Sequence, residues 1–141
     1  MTEKVKEVNV AIIQEPPVFL NLGASVEKAC TLTRKAAGNG ARVVVFPEPW
    51  LPGYPVWIDS APEVALWGHD AAKGLFRRLV ENALTLQGEE TAALARAAVE
   101  SKVHMVMGAH ELVGNTLYNT MLFISPGGVY SAHRKLTPTY T

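Results

Sequence analysis

One cysteine in 141 residues, Cys30, leaves no partner for an intrachain disulfide and no basis for a multi-cysteine zinc site. Excess charge of either sign is missing as well. Thirteen Lys and Arg balance thirteen Asp and Glu, so no net field draws the chain to nucleic acid or to an anionic membrane surface. Long apolar runs are absent. The first, residues 10–13, is too short for a signal-peptide core, and nothing approaches the ~20 residues of a membrane-spanning helix. No Gly-x-Gly-x-x-Gly turn, phosphate loop or Gly-x-Ser-x-Gly elbow supports a nucleotide cofactor or a serine nucleophile. These absences lead to the expectation of a reduced, cytoplasmic protein with no cofactor, no nucleic-acid partner and no membrane association.

What is present fits an ordinary globular domain, with 48% hydrophobic and 18% charged residues. Residues 8–14 read as a strand ending at Glu15-Pro16-Pro17. Asn21 can cap a helix over 22–37, whose apolar and small residues at 22, 26, 29, 33 and 36/37 form one stripe before Gly38 and Gly40 end it. Residues 42–47 read as the next strand, so the first unit is strand–helix–strand with parallel strands. Residues 49–70 hold four prolines, three tryptophans and no clear period, and a loop of that length is usually functional. Residues 71–86 read as a helix with Leu75, Leu79, Val80, Ala83 and Leu86 inward. Glu89 and Glu90 open a second helix, to about Ser101, with acids in the first turn where the macrodipole favours them. Strands follow at 103–109, 117–125 and 129–133, the last two joined by Ser125-Pro126-Gly127-Gly128, a hairpin signal. The expected fold class is α/β, in the order β-α-β-α-α-β-β-β, with the helices on one face of the sheet.

Chemistry concentrates in two places. The apolar run Val43-Val44-Val45-Phe46-Pro47 is followed at once by Glu48, and strand C-terminal edges are where α/β folds place their sites. A glutamate there is partly withdrawn from water and suited to proton transfer, although a helix cap or a solvated loop acid reads the same way. The second place is His133-Arg134-Lys135-Leu136-Thr137-Pro138-Thr139, which on residue type alone is a short basic cluster on a solvated face. Trp50, Tyr54, Trp57 and Trp67 suit either an apolar substrate pocket or core and subunit-interface packing. His104 and His110 fall on one strand face beside Glu111, but no third ligand has suitable spacing, so no metal site is expected. Asn115 and Asn119 read as turn and strand-pairing residues.

These segments, with residues 8–17, 40–55, 103–111 and 116–139 in order, resemble the nitrilase (carbon–nitrogen hydrolase) superfamily. Pro52-Gly53-Tyr54-Pro55 and Trp57 resemble its nitrilase branch. The resemblance implies an α-β-β-α sandwich of which residues 1–141 are the first, truncated part, leaving an uncovered apolar sheet face. It implies hydrolysis of a small-molecule nitrile (or amide) through a glutamate, a lysine and a cysteine. Glu48 matches the general base and Lys135 the residue that stabilises developing charge. The family's nucleophilic cysteine follows the lysine and has no counterpart here, as Cys30 falls mid-helix, where it reads as a small buried hydrophobe. A further family glutamate would fall one position beyond Thr141. The resemblance also implies that the loop after Glu48 lines the pocket, with Tyr54 and Trp57, and that the full-length form is a homo-oligomer. The alternative is a catalytically inactive truncated homologue serving as an interaction subunit or surviving as a gene relic.

Overall fold

A computed structural model describes residues 7–61, 63 and 68–137. Trp67, Pro138 and Thr139 lie outside the described residues. The elements are β1 (Val10–Ile12), α1 (Leu22–Gly38), β2 (Val43–Leu51), α2 (Trp57–Ser60), α3 (Asp70–Glu81), α4 (Glu89–Ser101), β3 (His104–Val113), β4 (Thr116–Ile124) and β5 (Tyr130–Arg134). The five strands form one sheet whose spatial order is the chain order. β1, β2 and β3 run parallel, as the strand–helix–strand reading expects, and β3, β4 and β5 are antiparallel.

Helices α1 and α4 close one face of the sheet, and small residues let them approach it. Ala29 and Ala36 of α1 with Ala97 and Ala98 of α4 pack beside Leu94 against Val44, Phe46, Met105, Met107, Leu122 and Ile124. Truncating a fully buried member such as Leu122 to alanine would cost about 2–5 kcal/mol. The Asn21 side chain caps α1 as the sequence predicts, accepting from the Ala24 N–H at 3.0 Å.

The third helix departs from the reading. It stops at Glu81 rather than at residue 86, because the Asn82 side chain takes its end: Nδ2 donates to the Arg78 carbonyl at 2.9 Å, while Oδ1 accepts from the Leu22 N–H at 3.2 Å. The following Leu84 forms a parallel bridge to Glu111, donating to the His110 carbonyl and accepting from the Leu112 N–H. Ala83 and Leu84 are buried there, outside any helix, and Val80 is exposed rather than inward. Leu79 packs in a separate cluster with Leu20 and Trp57, so α3 does not share the core that α1 and α4 make.

The opposite face carries Val10, Ile12 and Phe123 exposed. α1 and α4 leave it open there, in agreement with the expected open sheet face, while Leu117, which shares a face with Asn119, packs against the Leu20–Trp57–Leu79 cluster.

Candidate active site

The site grows from an irregularity in β2. Phe46 pairs with Met107 and Leu51 with Ala109, so residues 47–50 of β2 stand opposite Gly108 alone. The strand therefore bulges outward at Glu48 instead of ending at Pro47, and the peptides before Pro49 and Pro52 are cis. Two contacts hold the bulge. Trp50 is buried with its ring edge-to-face on Phe46 at 4.9 Å, and its Nε1–H donates to the Glu15 carbonyl at 2.8 Å. Gly108 supplies the floor: a Cβ there would lie 2.6 Å from the Glu48 Cα and collide with the Pro47 carbonyl.

Lys135 reaches the same place from the far edge of the sheet. Its backbone N–H donates to the Asn119 carbonyl at 2.8 Å, extending the β4–β5 ladder by one residue. Its ammonium lies 3.4 Å from Glu48 Oε1, both side chains being about one-third to two-fifths exposed. The structure thus brings together the two residues that the sequence motifs single out. They border a depression of about 340 Å³ that also takes in Asn119, Met121 and His133. Paired residues across a ladder share a face, and the pairs His110–Asn119 and Met121–His133 place this depression on the face that α1 and α4 leave open. A larger groove of about 550 Å³ along the β1 edge contains neither Glu48 nor Lys135.

Beside Glu48 stands His110, which is 5% exposed. Neither ring nitrogen has a hydrogen-bond partner among the described residues. Burial pushes its pKa down to about 4, opposed by Asn119 and by the negative charge of Glu48. The imidazole is neutral at pH 7.

The remaining expected residues lie elsewhere. Cys30 is buried in α1 on the covered face, its Sγ 3.8 Å from the Ala93 carbonyl, and burial pushes the thiol pKa up. Trp57 is 6% exposed and packs edge-to-face on Phe19 and Phe76 at 6.2 and 5.4 Å. Tyr54 is exposed beside Asp59, whose carboxylate raises the phenol pKa. Neither aromatic lines the Glu48–Lys135 depression. Among the described residues no three His, Cys, Asp or Glu converge as a metal site, and no helix is long and apolar enough to cross a membrane.

Sequence reasoning missed Gly108, the buried His110 within reach of the Glu48 charge, and an ion pair between Glu111 and Arg134. A glycine inside an apolar strand was the one available signal for the first, since it marks close backbone approach.

The family model for carbon-nitrogen hydrolases matches residues 9–141. The chain belongs to the carbon–nitrogen hydrolase family. An arylacetonitrilase of Aspergillus niger is 40% identical over 141 residues, covering 99% of this chain and 39% of that protein. An aliphatic nitrilase of Sinorhizobium fredii is 36% identical, covering 92% of this chain and 42% of its own. Among solved structures, a CN-hydrolase superfamily protein from Xanthomonas campestris superposes with a TM-score of 0.67 at 14% identity, over 93% of this chain and 41% of the other. An amidase from Nesterenkonia sp. gives 0.62 at 15% identity, over 95% and 44%. The chain spans about two fifths of the length of these relatives.

Proposed function

We propose that this chain supplies the glutamate–lysine half of a nitrilase-type site, which converts a nitrile and two waters to a carboxylic acid and ammonia. The observation that carries the proposal is the 3.4 Å approach of Lys135 Nζ to Glu48 Oε1 on the open sheet face. Glu48 takes the proton of a cysteine thiol contributed by sequence beyond Thr141, and the sulfur adds to the nitrile carbon. The Lys135 ammonium stabilises the negative charge that then develops on nitrogen. Water adds to the carbon of the resulting thioimidate and ammonia leaves, giving a thioester, which a second water cleaves with Glu48 again as base. Cys30 takes no part, because it is buried on the opposite side of the sheet.

Arylacetonitriles are the proposed substrate class, because several relatives at 36–40% identity are named arylacetonitrilases. Of the two aromatics expected at the pocket, Tyr54 presents an accessible ring on the loop after Glu48, whereas Trp57 is buried against Phe19 and Phe76. The test is ammonia release from phenylacetonitrile by the protein expressed from its whole reading frame. Glu48→Gln and Lys135→Ala should each lower kcat by about a hundredfold or more. Turnover indifferent to both substitutions would sink the reading.

The open face favours a second reading, in which the 141 residues act without catalysis as an interaction subunit. Nitrile turnover by the 141-residue chain itself would rule that reading out.

A further inference from the structure

The strand that delivers Lys135 has little of its own to hold it. All five residues of β5 are exposed, so burial does not specify its register. Register matters here more than elsewhere, because a slip of one residue turns every side chain of a strand to the opposite face. The same slip would carry Lys135 away from Glu48.

At the start of the strand the Tyr130 hydroxyl donates to the Leu86 carbonyl at 2.9 Å, and at its end, next to Lys135, a side-chain contact reaches back into the sheet. Arg134 Nη2 donates to Glu111 Oε1 at 2.7 Å and its Nε to Oε2 at 2.9 Å, a two-pronged ion pair that reaches across β4 to β3. The Glu111 side chain is 2% exposed. Its Oε2 also accepts from the Thr120 hydroxyl at 2.7 Å, and the guanidinium rests on the Tyr118 ring at 5.0 Å. The Arg134 bond holds the Glu111 carboxyl below the usual carboxylate range against the opposing effect of burial.

The strand alternation ties this cluster to the site. His110 and Glu111 on β3, Asn119 and Thr120 on β4, and Arg134 and Lys135 at the end of β5 are adjacent pairs. In each pair, one residue joins the cluster on the covered face and its neighbour borders the site on the open face.

We propose that Glu111 and Arg134 are positioning residues for Lys135, fixing the register of β5 from the covered face so that the ammonium meets Glu48 on the open one. The proposal rests on the reading of Glu48 and Lys135 as the site, and it adds what sets their separation. A buried carboxylate locked by a planar fork suits this task, because the fork accepts only one alignment of donors.

Zero-length carbodiimide cross-linking tests it on the 141-residue chain, with no need for turnover. The Glu48–Lys135 amide is quantified by peptide mass spectrometry against an internal control, the Glu15–Lys28 amide, whose partners lie 3.5 Å apart and involve neither β4 nor β5. Glu111→Gln should lower the Glu48–Lys135 product about tenfold, the scale of one lost charge-assisted hydrogen bond, and leave the control unchanged. Unchanged yields of both products would overturn the proposal. Equal loss of both would overturn it too, since the pair would then hold the fold in general. Should the Gln variant fail to fold, Arg134→Lys, which keeps the cation and removes the fork, is judged by the same two criteria, with a smaller selective loss expected. Failure of the nitrilase reading would appear separately, as turnover of the whole-frame protein that ignores Glu48 and Lys135.

Discussion

Gly108 lies beneath Glu48 so closely that a Cβ on it would stand 2.6 Å from the Glu48 Cα. The bulge that presents the carboxylate and the missing side chain on the neighbouring strand are one feature, split between β2 and β3.

Gly108→Ala should therefore destabilise the chain by about 1–3 kcal/mol, as overpacking does where backbone rather than a flexible side chain must move. Gly74 provides the opposite case, since nothing lies within 4 Å of a Cβ at that position in the body of α3. Gly74→Ala should stabilise by roughly 0.5–1 kcal/mol. Urea denaturation of the two variants checks both signs at once.

Lys135→Met separates chemistry from stability. The Glu48–Lys135 pair is part-exposed, so losing it should change unfolding free energy by no more than about 1 kcal/mol. In the whole-frame protein, turnover should collapse while the melting temperature stays within a few degrees. A large loss of stability would instead make the pair a structural bridge.

Acid should weaken the fold in two windows. The His110 pKa falls from 6.5 to about 4 on folding, so the unfolded chain binds the proton and the folded one resists it. Stability is complete above pH 6.5 and declines as pH falls toward 4, by about 2 kcal/mol between pH 7 and 5. Glu111 adds its share lower down: its stabilisation is complete above about pH 4.3 and is lost as pH falls through its lowered native value. Denaturant titrations of the parent and of His110→Leu at pH 7 and 5 check the upper window, where the variant should show a flatter response.

Cys30 should behave as a buried thiol. Iodoacetamide should label it slowly in the native chain and fast in urea, because burial disfavours the thiolate. In the whole-frame protein Cys30→Ala should leave nitrile turnover unchanged. Rapid native labelling that abolished turnover would contradict its place on the covered face.

Much of this architecture is legible in the sequence where its causes are local. The bounds of α1 and α4 follow from an asparagine cap, an acidic first turn and one apolar stripe. α3 overshoots in the reading because Ala83 and Leu86 continue its apolar pattern. What ends the helix is the Asn82 side chain, shared with α1, and the bridge from Leu84 to Glu111. β2 reads as ending at Pro47 in the sequence because its continuation depends on Gly108, distant in the chain. Glu48 and Lys135 are visible through their motifs. Glu111 and Arg134 are not, since a charged residue in an alternating strand reads as solvent-facing until the partner that buries it is known.

Because each strand of the sheet lies beside its predecessor in the chain, the sheet can be laid down in the direction of translation, with no later strand inserted between earlier ones. Synthesis proceeds at ~5–20 residues per second, and folding can begin from the N-terminal side. β1, α1 and β2 can dock first, β3 then slides its glycine under the bulge, and β5 arrives last. The acid of the pair thus precedes its cation both in synthesis and in the order of the sheet.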